Sequence, residues 1–181
     1  DVCSSDLSLE KCFFVTEPGP ERSVGVQRSR RLPVGAWAVF LSHTSELAKY
    51  PSGGSYLQRA KDAVNAAGHR PVCMEFFPAA DEPPSDYDVA AVARCDVYVG
   101  IYGTRYGTPV PGRGGLSYTE QEFEAAREAG LPRLLFLTDP DSEELRLPQS
   151  TQDIKYGDLQ QKFRERVRDS GAFIEIGRAH V

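Results

Sequence analysis

Asp96-Val97-Tyr98-Val99-Gly100-Ile101-Tyr102 is the stretch on which the fold turns. After its first residue it carries no charge and does not alternate between apolar and polar. It therefore reads as a strand covered on both faces, the kind that parallel sheets contain. Comparable short runs flank it. Ala36-Trp37-Ala38-Val39-Phe40-Leu41 and Pro71-Val72-Cys73-Met74-Glu75-Phe76-Phe77 precede it, and Arg133-Leu134-Leu135-Phe136-Leu137-Thr138 follows. Helical stretches separate the runs. Ser55 and Gln58 have capping-box spacing, and the helix they open runs from Tyr56 through Leu57, Ala60, Val64 and Ala67 to a stop at Gly68. A second helix starts at Ser85 or Asp86 and passes through Val89, Val92 and Ala93. A third spans Ser117 to Gly130, and a fourth Asp158 to Arg168. Phe173-Ile174 begins a fifth strand. Apolar strands alternating with helices predict an α/β fold: a flavodoxin-like three-layer sandwich around a parallel sheet of four to five strands.

Composition narrows the function. A net charge of −5 leaves no excess of Lys and Arg to neutralise phosphates, so the expected partners do not include nucleic acid. No apolar run approaches the length of a membrane span. The four cysteines (Cys3, Cys12, Cys73, Cys95) include no C-x-x-C pair, which argues against a disulfide scaffold or a structural zinc site and for a reducing cytoplasm.

The two ends carry a different signal. The chain begins Asp1-Val2-Cys3-Ser4-Ser5-Asp6-Leu7 and finishes Glu175-Ile176-Gly177-Arg178-Ala179-His180-Val181. One choice of codons for the last seven residues has a reverse complement that translates as the first seven. The eighth pair, Ser8 with Ile174, fits no codons. Both ends thus read as translated sequencing adapter around an insert, to be set aside like an expression scar, with Cys3 and His180 carrying no function. The sole methionine, Met74, is internal, consistent with a fragment cut before its last strand and helix are complete. Residues 8–34, with Glu17-Pro18-Gly19-Pro20 and scattered arginines, read as a linker or tail, and residues 35–174 as the domain. Removing 1–7 and 175–181 leaves 23 acids against 20 bases, so the insert is still acidic, at −3.

In an open parallel sheet, ligands bind beyond the carboxyl ends of the strands where the strand order reverses, here after strands one and three. The loops concerned are Ser42–Ser45 and the long Gly103–Leu116. The helix after the second loop begins Ser117-Tyr118-Thr119-Glu120-Gln121-Glu122-Phe123-Glu124. Ser117 and Glu120 have capping-box spacing, and Glu120, Glu124 and Glu128 share a face expected to meet solvent. Glu122 instead neighbours Tyr118, Ala125, Ala126 and Ala129, so a carboxylate points to the apolar side and needs a partner or a function. Arg105, directly after strand three, is placed either to hold a phosphate or carboxylate or to pair with Glu122. Tyr102, Tyr106 and Tyr118 either stack a base or cover the sheet edge. His43 stands alone, without the spacing of a metal site. There is no G-x-x-x-x-G-K-[ST], no G-x-G-x-x-G and no G-x-S-x-G, so a P-loop NTPase, a dinucleotide-binding Rossmann domain and a hydrolase elbow lack support.

Several blocks together resemble a TIR-like family known as domain of unknown function DUF4062. They are Val39-Phe40-Leu41-Ser42-His43-Thr44-Ser45-Glu46-Leu47, Asp96-Val97-Tyr98-Val99-Gly100, Arg105-Tyr106-Gly107, Ser117 to Ala126, and Gly130-Leu131-Pro132-Arg133-Leu134. The resemblance runs from about Ala36 to Ile174 and implies a TIR-like version of the sandwich. It also implies an N-terminal module of a larger bacterial signalling or defence protein, with C-terminal NTPase or repeat domains as partners and self-association. Enzymatic TIR domains cleave NAD with a Glu in a W-C-x-x-E helix. Tyr118-Thr119-Glu120-Gln121-Glu122 is similar in spacing, with Tyr and Thr in place of Trp and Cys. Nucleoside deoxyribosyltransferases, on a related fold, set a Glu eight residues before Gly-x-Pro, as Glu122 stands to Gly130. The resemblance therefore implies Glu122 as catalytic residue, with Ser42, Thr44, Arg105, Tyr106 and Tyr118 around a nucleotide. NAD is then a substrate; no cofactor or metal is implied. In that reading Arg105 and the N-terminus of the Ser117 helix take the diphosphate. The competing expectation is a non-catalytic self-association module with Glu122 closed off by a salt bridge.

Overall fold

In the computed structural model the described residues are 34–73, 84–139, 142, 145, 147–148, 153–170 and 173–176, with side chains described at all but 84–87 and 173–176. Five strands alternate with four helices. They are β1 (Ala38–His43), α1 (Tyr56–Ala66), β2 (Arg70–Val72), α2 (Pro84–Ala93), β3 (Val97–Tyr102), α3 (Tyr118–Glu128), β4 (Arg133–Thr138), α4 (Gly157–Asp169) and β5 (Phe173–Ile176), with a 3₁₀ turn at Ser45–Ala48. The sheet is parallel throughout in the order β2-β1-β3-β4-β5. The α/β three-layer expectation is met with all five strands. The reversal of strand order falls between β1 and β3.

The apolar strands are explained by what covers them. Val39 and Leu41 of β1, Val97, Val99 and Ile101 of β3, and Phe136 of β4 pack with Leu57, Ala60 and Val64 of α1. The alternate residues Phe40, Tyr98, Tyr102, Leu135 and Leu137 pack on the other face with Val92 of α2, Phe123 and Ala126 of α3, and Phe163 and Val167 of α4. With both faces covered, an alternating polar pattern would bury polar groups, so continuous runs are required.

Helix ends follow local chemistry. Ser55 accepts a hydrogen bond from the Gln58 N–H at 3.1 Å, and Gly68 beyond α1 takes a φ of +77° that a side chain would resist. α2 is described from Pro84, the first residue after the undescribed stretch, and continues through the expected Val89, Val92 and Ala93. Residues 74–77 of the expected second strand, and the tail before Val34, lie outside the described residues. β5 extends through Glu175 and Ile176, paired with Leu137 and Thr138.

Candidate functional site at the carboxyl ends of β1 and β3

The period-two pleat decides which side chains reach the site. Ser42 follows Phe40 on the face that α3 covers, and in register it lies beside Gly100. On β3, Tyr98 and Tyr102 flank Gly100 on that face, and their hydroxyls share a 2.7 Å hydrogen bond. A Cβ on Gly100 would strike the Tyr102 ring, so the missing side chain opens the space in which these hydroxyls sit. Burial pushes both phenols upward from their ordinary value, and they stay neutral.

Glu122 enters this layer from the first turns of α3. It is 4% exposed, and the Ser42 hydroxyl donates to its Oε2 at 2.5 Å. Burial pushes its carboxyl up to about 8, against the pull of the Ser42 hydrogen bond and with a further push from Asp88. Near neutral pH it is therefore mainly protonated. The helix geometry predicted this inward aim correctly. Its hydrogen-bond partner is the neutral Ser42 hydroxyl, whereas the alternative of pairing with Arg105 called for a cation.

Two residues along, the pattern repeats. Thr44 donates its hydroxyl to Glu46 Oε1 at 2.9 Å and accepts from the Gly103 N–H at 2.8 Å. The same Glu46 oxygen accepts from the backbone N–H groups of Thr104 at 2.7 Å and Arg105 at 3.0 Å. A Cβ on Gly103 would collide with that carboxylate. Glu46 is 2% exposed, its Oε2 has no hydrogen-bond partner, and burial raises its carboxyl above the usual range despite four lowering hydrogen bonds. Sequence reasoning passed over Glu46. The available signal was an acid one turn past β1, beside the loop at the switch in strand order.

The remaining expected residues are distributed unevenly. Ser42 and Thr44 are buried at the switch point, each tied to one of the two glutamates. Arg105 stands on the exposed surface of the adjoining loop, with its N–H on Glu46. Tyr118 is half-buried at the start of α3, and its N–H donates to the Thr108 carbonyl at 3.2 Å. Tyr106 is 2% exposed; its hydroxyl donates toward Glu120 and the Gly115 carbonyl and accepts from the Ser117 N–H at 3.2 Å. That side chain braces the loop from inside, and its ring lies 6.1 Å from that of Tyr156. His43 is half-buried and its carbonyl accepts from the Thr119 hydroxyl at 3.5 Å.

The expectation that Glu120 shares a solvent face is overturned. Glu120 is 3% exposed, ion-paired with Arg166 of α4 and hydrogen-bonded by Tyr106. The buried face of α3 is wider than helical spacing alone suggested, because α4 supplies a cation on the side assigned to water. Half of the capping box holds: Ser117 Oγ accepts from the Glu120 N–H at 3.2 Å. The other half does not, since the Ser117 N–H goes to Tyr106 and the Glu120 carboxylate to Arg166. The N-terminus of α3 is thus closed by groups of the chain itself.

α4 contributes two more buried polar side chains. Arg164 donates to the Gly103 carbonyl at 3.0 Å and to the carbonyl of Thr138, and Gln160 donates to the Gly103 carbonyl at 2.7 Å. They satisfy backbone acceptors at the carboxyl ends of β3 and β4, where a buried carbonyl left unpaired would be costly. Among the described residues there is no cluster of three His, Cys, Asp or Glu able to hold a metal, and no helix long and apolar enough to cross a membrane.

No curated protein matches the chain. Among solved structures, the TIR domains of the activated Roq1 resistosome directly recognizing the pathogen effector XopQ are similar, with a TM-score of 0.47 and 10% sequence identity over 80% of this chain and 90% of that chain. The sequence profile of the domain of unknown function DUF4062 matches residues 39–177, and the chain belongs to that family.

Proposed function

We propose that this chain is a TIR-like signalling or effector module of a larger cytoplasmic protein, which binds a nucleotide at the β1–β3 switch point and cleaves its N-glycosidic bond at Glu122. NAD is the substrate to test. The observation that carries the reading is Glu122: a carboxyl buried on α3, aimed at the strand ends and held by Ser42. A structural role alone gives little reason to bury an acid whose hydrogen-bond partner is a neutral hydroxyl.

In this reading Arg105 takes the diphosphate by bidentate hydrogen bonds and Tyr118 stacks against a base. The bond between ribose C1′ and the pyridinium nitrogen breaks, and its electron pair goes to the ring, releasing neutral nicotinamide. C1′ becomes oxocarbenium-like, and ionised Glu122 stabilises that charge. Water then adds its oxygen to C1′ and gives a proton to solvent. Since the working form is the carboxylate, nicotinamide release rises with pH through a midpoint near 8. Glu122→Gln reduces it at least about 100-fold, the scale of losing an electrostatic stabiliser. The measurement is nicotinamide release by the chain alone and by forced oligomers. Turnover that survives Glu122→Gln, or none in either form, removes the reading.

The low exposure of Glu122 favours a second reading, a non-catalytic self-association module. It predicts concentration-dependent association by light scattering, unchanged in Glu122→Gln, and no nicotinamide under any condition.

A further inference from the structure

The loop after β3 is held by side chains at four successive residues. The Gly103 N–H donates to the Thr44 hydroxyl at 2.8 Å, and the N–H groups of Thr104 and Arg105 donate to Glu46 Oε1 at 2.7 and 3.0 Å. The Tyr106 N–H donates to Asp153 Oδ2 at 3.1 Å. Gln160 and Arg164 of α4 hold the Gly103 carbonyl from the other side. Among these holders Glu46 stands out, because one of its oxygens takes two backbone donors and the Thr44 hydroxyl together. Its other oxygen is buried without a hydrogen-bond partner. Its approach depends on Gly103, where a Cβ would collide with Oε1. An acid buried with one oxygen unpaired is a costly fastening for a loop, unless the position of the loop matters. The residue it fixes most directly is Arg105, whose own N–H is one of the donors.

We propose that Glu46 is a positioning residue for Arg105: it fastens the β3 loop to the end of β1, so that the Arg105 guanidinium is presented to the diphosphate of a nucleotide at the switch point. An arginine side chain has several rotatable bonds, and what it can reach depends on where its backbone stands. A backbone fixed in advance lowers the ordering cost of binding. Hydrogen bonds to an ionised acceptor are the stronger kind, which suits a fastening made by one oxygen. The ligand role rests on the proposed nucleotide reading; the fastening of the loop does not.

The test combines amide hydrogen exchange with calorimetric titration of adenosine diphosphate into the full chain. In the wild-type chain the Thr104 and Arg105 amides are expected to be protected, and in Glu46→Ala to exchange at least about tenfold faster. Glu46→Ala is also expected to weaken adenosine diphosphate binding about tenfold, whereas in an Arg105→Ala background the same change weakens it less than about twofold. A role confined to the stability of the fold would not depend on Arg105. Equal weakening in both backgrounds therefore overturns the proposal. So does unchanged binding, or binding that tightens because the carboxylate had competed with the ligand. Should Glu46→Ala not fold, Gly103→Ala decides, since its Cβ displaces the carboxylate without removing it. Unchanged exchange and binding in that variant, or unprotected Thr104 and Arg105 amides in the wild-type chain, overturn the proposal equally. A wild-type chain that binds no adenosine diphosphate, with protection lost in Glu46→Ala, defeats the nucleotide reading and the ligand role with it, and leaves the fastening. Binding that needs Arg105 but not Glu46 defeats the positioning role alone.

Discussion

Gly100 shows how much one absent side chain does. Its backbone lies outside the left-handed region, so conformational freedom is not what its position uses. Any Cβ there would meet the ring and hydroxyl of Tyr102, which reaches back beside Tyr98 on the pleat. Both phenols are fully buried, so they have no free volume into which to retreat. Gly100→Ala is expected to destabilise the fold by about 1–3 kcal/mol, the usual range for forcing extra atoms into a packed core. It should also disturb Ser42 and Glu122, because Ser42 is the register partner of Gly100. The denaturant midpoint measures the first effect and the Glu122 carboxyl titration the second. A variant as stable as wild type with an unmoved titration would show that the hydroxyl pair is not confined as described. Nothing in the run Val97–Tyr102 announced this role, since Gly100 reads there as one more small apolar residue. The same holds for Glu46, whose donors on Thr104 and Arg105 are distant in sequence and become neighbours only when β1 and β3 pair.

The helices α1 and α3 display the opposite case, where local chemistry was enough. Ser55 and Ser117 cap the helices they precede, and Gly68 and Gly130 follow them with positive φ. These features depend on residues within one turn, so they can be read from the chain itself. Ser117 is fully buried, and its hydroxyl accepts from the Glu120 N–H. Ser117→Ala strips that acceptor and is expected to cost about 1–2 kcal/mol, toward the upper end for a cap because water cannot replace the bond. Thermal unfolding checks it: an unchanged melting temperature would mean the Glu120 N–H finds another acceptor. The opposite face of α3 was misjudged for an equally physical reason. Charge spacing reports which residues share a stripe, not what lies against it. The partner here, Arg166, comes from α4, which the chain reaches only after β4. Strand identity, strand order and helix ends were therefore legible, whereas long-range pairing of buried charge was not.

At the scale of the whole molecule, the buried acids give the fold a pH dependence of unusual sign. Glu122, Asp88 and Glu46 all hold their protons to higher pH in the folded chain than in the unfolded one. For Glu122, the unfolded chain releases the proton near 4.5 while the folded chain keeps it to about 8. Its stabilising contribution is complete below about 4.5, declines as pH rises and is gone above about 8. Asp88 adds a decline between its ordinary 3.8 and about 6. Each such group lowers stability by about 1.4 kcal/mol per pH unit within its window. The melting temperature should therefore fall as pH rises from 5 to 8, with Asp88 and Glu122 both contributing up to about 6 and Glu122 dominating beyond. Glu122→Gln, which cannot ionise, should flatten the fall between pH 6 and 8 and leave below 6 only the share that Asp88 contributes. Thermal unfolding of both forms in a pH series separates this from every other titrating group, because only the difference between the two curves belongs to Glu122. Parallel curves, or a wild-type melting temperature that climbs through this range, would mean that Glu122 carries its charge in the folded chain near neutral pH. In that event nicotinamide release would no longer be expected to rise through pH 8.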